Sequence, residues 1–187
     1  MDSLSPLPRK LLLVPPTTNL EWQKRDYDII FQDWWRQQQL TTIFFDRASK
    51  GNPGAAGAGG IMYSSDGSRR DFFCWGIGQK TNNQEKILAL LKACQIASER
   101  GIKYFQAFGD SEILIKKLNT EELFNNASLN KTMSRLKRIL LEFDTYKFYH
   151  ILRNSNSEAD LMANKGCTLH KGQLNINDEI SYQSCFS

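Results

Sequence analysis

TTIFFDRASKGNPGAAGAGG, residues Thr41 to Gly60, is the stretch around which the rest of the chain can be ordered. Thr41 to Phe45 is a short β-branched and aromatic run, which reads as a buried strand. Asp46 ends it. Lys50-Gly51-Asn52-Pro53-Gly54 then reverses the chain, and Ala58 to Tyr63 can return as a second strand beside the first. Taken alone, Asp46 is a solvated acid at a strand end; a chemical role for it requires partners.

Those partners lie further along. Ser64-Ser65-Asp66-Gly67 is a turn, and Arg69 to Ile77 alternates as a third antiparallel strand. Gln84 to Arg100 is expected as a helix with Ile87, Leu90, Leu91, Cys94 and Ala97 on its apolar face and Gly101 as its stop. Lys103 to Phe108 is a fourth strand, ending in Gly109-Asp110-Ser111, and Glu112 to Leu118 continues as a short helix. Ser128 to Phe143 is a helix, Tyr146 to Leu152 a fifth strand, and Ser157 to Lys165 a last helix carrying Asp160. Three strands followed by alternating helix and strand describe an α/β fold with a five-stranded mixed sheet flanked by helices.

Asp46 and Asp110 then stand at two strand ends, where function gathers in such sheets, and Asp160 in the first turn of a helix can face them. Three convergent acids repel one another unless a positive charge sits between them, and a divalent metal is the usual answer. Water and phosphate oxygens would complete an octahedral magnesium site, the physical core of a two-metal phosphodiester hydrolase.

Composition sets the outer limits. The chain has 187 residues, 41% apolar and 24% charged, enough for one domain with terminal extensions. A net charge of +4 permits a nucleic-acid partner without indicating one. Cys74, Cys94, Cys167 and Cys185 have no paired spacing, and His150 and His170 do not complete a ligand set, so neither zinc nor a disulfide framework is expected. Leu11 to Val14, closed by Pro15 and Pro16, is too short for a signal sequence or a membrane span. The expectation is a cytoplasmic or nuclear protein with no membrane partner.

Residues 1–18, rich in Pro, Ser and Thr, are expected as a flexible leader. Residues 19–40 are expected as an amphipathic helical extension with Tyr27, Ile30, Phe31, Trp34 and Trp35 at helical spacing. That aromatic face either packs on the following domain or docks a protein partner. The domain itself is assigned to residues 41–167 and a C-terminal tail to 168–187.

FFDRASKGNPGAAGAGG, GIGQKTNNQEKILAL, FGDSEILI and HILRNSNSEADLMAN, in this order and spacing, resemble the type 1 ribonuclease H family, especially the domains carried in plant retroelement polyproteins. The resemblance implies a ribonuclease H-like fold and cleavage of the RNA strand of an RNA/DNA hybrid with Mg²⁺ or Mn²⁺. It makes Asp46, Asp110 and Asp160 catalytic metal ligands. It places Gly51, Asn52 and Gly54, with Thr81, Asn82 and Asn83, along the hybrid, where backbone groups and amides reach a phosphate or a 2′-hydroxyl. Read without the family, Asn82 and Asn83 serve equally well as a helix cap. The aromatic helix and the tail then look like linkers that once joined polyprotein neighbours.

The chain departs from this pattern where the pattern matters most. After Thr-Asn-Asn the family has any residue, Ala and a metal-binding Glu, whereas here Gln84 is followed by Glu85 and Lys86. Glu85 does not replace the missing acid, because neighbours on a helix differ by about 100° in direction and the apolar set fixes the rotation. An ammonium held about 4 Å from a divalent ion would cost about 8 kcal/mol at an effective dielectric near 20. Lys86 therefore either swings out and weakens metal binding, or fills the vacated site and neutralises the acids itself. Arg47 is a second departure, standing where the family has a small residue; it either obstructs the hybrid or adds a phosphate contact. His150 is read as structural or substrate-adjacent. Lys116, Lys117, Lys131, Arg135, Lys137 and Arg138 form either a phosphate-facing surface or a solvated helix face. Two functions stay open: a hybrid-specific ribonuclease impaired by Lys86, or a catalytically inactive retroelement-derived module that binds nucleic acid or protein.

Overall fold

Strand β1 (Thr41–Gly51) forms the middle of a seven-stranded sheet with β2 (Gly54–Tyr63), β3 (Arg70–Lys80), β4 (Tyr104–Gly109), β5 (Thr145–His150), β6 (Gln173–Ile176) and β7 (Glu179–Tyr182). The strand order is β5-β4-β1-β2-β3-β6-β7. The computed structural model describes residues 27–51, 54–80, 86–177 and 179–182. The leader at 1–18 and the proposed contact residues Asn52, Thr81, Asn82 and Asn83 lie outside them.

The sheet is mixed, as the order of elements requires. β1 pairs antiparallel with β2 and parallel with β4, which pairs parallel with β5. Two findings differ from the sequence reading. Asp46 does not end its strand: the parallel ladder with β4 stops at Phe44 opposite Phe108, but β1 continues antiparallel to β2, with Asp46 opposite Gly59, as far as Gly51 opposite Gly54. The carboxylate is thus carried by a strand still paired on one side. The sheet also has seven strands rather than five, because residues expected as a tail pair with β3 through β6, and β7 pairs with β6. Asp71 and Asn177 fasten this addition: the Asn177 amide donates to Asp71 Oδ1 at 2.7 Å, and Asn177 Oδ1 accepts from Phe72 N at 2.8 Å. Such side-chain contacts between distant residues leave no periodic trace in a sequence.

Five α-helices complete the described part: α1 (Tyr27–Gln37), α2 (Lys86–Glu99), α3 (Glu112–Thr120), α4 (Ala127–Leu140) and α5 (Ser157–Gly166). Ser111 caps α3 by accepting from Leu114 N, and Asn126 caps α4 by accepting from Leu129 N. Gly101, at φ +74°, ends α2 as expected, with Ile102 N–H reaching back to Ala97 O at 3.1 Å.

The larger core joins alternate residues of β1, such as Ile43 and Phe45, to Leu90, Leu91 and Cys94 of α2 and Met133 and Leu136 of α4. A second core holds Phe44, Ile61, Tyr63, Phe108 and Tyr149 together with Trp35 of α1. Trp35 is buried, edge-on to Phe44 and tilted against Tyr63, and its carbonyl accepts from Gln106 Nε2 at 3.0 Å. Trp34 and Trp35 of α1 therefore pack on the domain, one of the two uses that the helix spacing allowed. Burying such a ring contributes on the order of 2–3 kcal/mol, enough to hold a short helix that would be marginal alone. Among the described residues no helix is long and apolar enough to cross a membrane.

α5 crosses the glycine-rich strand β2 at very short range. A Cβ on Gly59 would lie 2.3 Å from the backbone carbon of Met162, and one on Gly57 would lie 2.3 Å from Cys167 N. Gly57 and Gly59 are small because a helix lies against them, and this fixes where Asp160 stands.

Candidate active site

A cleft of about 450 Å³ is lined by Asp46, Arg47, Ala48, Ser49, Lys86, Asp110, Arg153, Asp160 and Asn164. Each wall comes from a different element. β1 supplies Asp46 and Arg47, the end of β4 supplies Asp110, α2 supplies Lys86 as its first residue, and α5 supplies Asp160 and Asn164. Arg153 begins the short 3₁₀ turn Arg153–Asn156. Gly109 lets β4 approach the site, since a Cβ there would lie 2.6 Å from the Phe45 ring. The three acids predicted from sequence thus share one cleft.

Lys86 occupies its centre. Its ammonium lies 3.1 Å from Asp46 Oδ1 and donates a short hydrogen bond to Asp110 Oδ1. The Asp46 and Asp110 side chains are 2% and 4% exposed, so two carboxylates are removed from water and served by one cation. Asp46 Oδ1 also accepts from Arg47 N at 2.7 Å. Burial pushes the Asp46 carboxyl above its ordinary range, and neighbouring Asp110 pushes the same way, against Lys86 and the Arg47 amide. Burial alone would lower Lys86, but its bonds to Asp110 and Asp46 outweigh that and raise it. One ammonium shared by two acids explains both directions: the lysine holds its proton firmly, and one negative charge stays incompletely compensated.

The divalent ion that the acids suggested does not fit this arrangement. Among the described residues no group of three His, Cys, Asp or Glu side chains is placed to hold a metal ion. The donor chemistry agrees, because an ammonium already takes Oδ1 of both Asp46 and Asp110 and would repel a second cation. Of the two fates open to Lys86, the structure shows the filled site. Asp110 Oδ2 is buried and has no hydrogen-bond partner among the described residues.

Gly51 and Gly54 close the β1–β2 hairpin as its last pair. Sequence reasoning missed Arg153, Asn164 and Ser49 in the cleft wall. It also missed Asn156, which is buried and donates to Phe45 O at 3.0 Å, tying the 3₁₀ turn to β1 beside Asp46. The signal was present in the polar run Arg153 to Asp160, but only the fold shows which members turn inward.

A family model described as reverse transcriptase-like matches residues 44–166. The crystal structure of RNase H1 from the halophilic archaeon Halobacterium salinarum matches with a TM-score of 0.61 and 33% identity, over 67% of this chain and 96% of that one. The chain belongs to the ribonuclease H family. Ribonuclease HI of the same archaeon is 34% identical over 122 residues, and a protein of Arabidopsis thaliana named for ribonuclease H is 28% identical over 128 residues. The match spans 61% of the first curated relative and 20% of the second. LC11-RNase H1, solved in complex with an RNA/DNA hybrid, shares the ribonuclease H fold at a TM-score of 0.60 and 24% identity.

Proposed function

We propose that this chain binds RNA/DNA hybrids through its ribonuclease H fold and that Lys86 suppresses hydrolysis of the RNA strand. The observation that carries the reading is the ammonium bonded to both Asp46 and Asp110. Phosphodiester hydrolysis needs a water made nucleophilic and a developing charge on the leaving oxygen stabilised. An ammonium supplies positive charge but only N–H donors. It cannot ligate a water oxygen and so does not lower that water's pKa. Asp46 and Asp110, engaged by Lys86, are also poor acceptors for the water's proton.

Hybrid binding asks for less. The solved LC11-RNase H1 complex supports it through the shared fold, and the cleft supports it by presenting the exposed Arg153 guanidinium to a phosphate. In this reading Asp46, Asp110 and Asp160 are the inherited acids, while Gly51, Asn52, Gly54, Thr81, Asn82 and Asn83 follow the hybrid backbone.

The test is cleavage of an end-labelled RNA/DNA hybrid with Mg²⁺ and then Mn²⁺, by the natural chain and by Lys86→Glu, with binding measured in parallel. Binding by both and cutting by the variant alone is expected. Efficient metal-dependent cutting by the natural chain, abolished by Asp110→Asn, would overturn suppression by Lys86.

A further inference from the structure

The cleft's described lining holds three carboxylates, Asp46, Asp110 and Asp160, and three cations, Arg47, Lys86 and Arg153. It is therefore electrically balanced by its own side chains. We infer that Lys86 is a built-in counter-ion that makes nucleic-acid binding at this cleft independent of divalent metal, with the exposed Arg153 as its phosphate-contacting group. This inference rests on the hybrid-binding reading and specifies how that binding is controlled.

Two buried carboxylates close together repel a phosphodiester unless a cation offsets them. Lys86 is held for that task by geometry. It begins α2, its side chain is about one-third exposed, and it touches both acids at once. Such a cation cannot be removed by a chelator. Lys86 also has its bonds directed at the acids, which leaves phosphate contact to the exposed Arg153. Arg153 stands on the 3₁₀ turn that Asn156 ties to β1. A guanidinium presents a planar fork of donors suited to two phosphate oxygens.

The test measures fluorescence anisotropy of a labelled RNA/DNA hybrid against the full chain, in EDTA and in excess Mg²⁺ at matched ionic strength. The natural chain is expected to bind with affinities within about twofold in the two buffers, because ionic strength rather than chelation sets the phosphate term. Lys86→Glu, which places four carboxylates against two guanidiniums, is expected to lose at least about tenfold in EDTA and to recover in Mg²⁺. Arg153→Gln should weaken binding in both buffers and shallow the salt dependence by about one phosphate contact.

Binding by the natural chain that disappears in EDTA overturns the inference and leaves hybrid binding standing. Lack of binding in both buffers removes the hybrid reading and this inference together. The natural-chain comparison does not depend on any variant folding. An independent readout is the melting temperature against Mn²⁺ without nucleic acid: no shift is expected for the natural chain and an upward shift for Lys86→Glu. A metal-induced shift in the natural chain overturns the counter-ion role.

Discussion

The Lys86 ammonium lies 3.1 Å from Asp46 Oδ1, and the same nitrogen bonds Asp110, so a single lysine ties the middle of β1 to the end of β4. Its removal has a structural as well as a catalytic consequence. Lys86→Met leaves two buried carboxylates side by side without compensation. Breaking a fully buried pair costs about 3–5 kcal/mol, and partial exposure of Lys86 reduces the expected loss to about 2–3 kcal/mol. Urea unfolding at neutral pH measures it. Adding Asp46→Asn should recover part of the loss, giving a coupling that two independent sites would not show.

Gly59→Ala should destabilise the protein by about 3 kcal/mol, since an overpacked contact costs on the order of 1–3 kcal/mol and the obstacle here is backbone. The new Cβ would meet Met162 C at 2.3 Å and Ala163 N at 2.4 Å. α5 must move, and Asp160 and Asn164 move with it, so hybrid affinity should fall as well. Gly67→Ala is the control: at φ +75° with nothing within 4 Å, it should cost only about 1 kcal/mol of backbone strain. Equal effects of the two substitutions in urea unfolding would contradict the close approach of α5.

Trp35→Ala should cost about 3–5 kcal/mol, the range for emptying a buried Trp site. Trp35 is 1% exposed and contacts Phe44 and Tyr63. Gln106 bonds the Trp35 carbonyl, which the substitution keeps, whereas the indole N–H donates to Gln32 Oε1 at 3.0 Å, so the loss combines packing with one hydrogen bond. Thermal unfolding checks this, and an unchanged melting temperature would mean that the aromatic face of α1 is not held by the sheet.

Asp71 gives the pH dependence of the added strands. Burial would raise its carboxyl, but the Asn177 amide and the Arg100 and Arg69 guanidiniums outweigh that and hold it below the usual carboxylate range. A group depressed in the folded state contributes stability above its unfolded value, near 3.8, and that contribution is lost as pH falls through the folded value. Asp71→Asn should therefore be less stable than the natural chain at pH 7 by about 1–2 kcal/mol. The difference should narrow as pH falls below about 4. Urea unfolding across that range decides it, and a constant gap would rule out a charge-based role.

Much of the fold was legible because its signals are local. The run Thr41 to Phe45 alternates between the two cores, with Ile43 and Phe45 in one and Phe44 in the other, a consequence of strand period. The apolar set of α2 and the stop at Gly101 were equally readable. The two added strands were not, because Gln173–Ile176 is short and its partner β3 lies about a hundred residues earlier.

For the site the division is sharper. The sequence by itself determined that Asp110 follows a strand and Asp160 lies in the first turn of a helix, that a lysine replaces the expected glutamate, and that an arginine follows the first acid. These are matters of residue type and spacing. Only the tertiary structure decided between a lysine that swings out and one that fills the space. That choice depends on Asp46 and Asp110 being brought by separate strands within reach of one nitrogen. The purpose of Gly57 and Gly59 in β2 was settled in the same way, by the helix packed on them. Periodicity records whether a residue is buried. It does not record against what, because the neighbours that do the burying come from elsewhere in the chain.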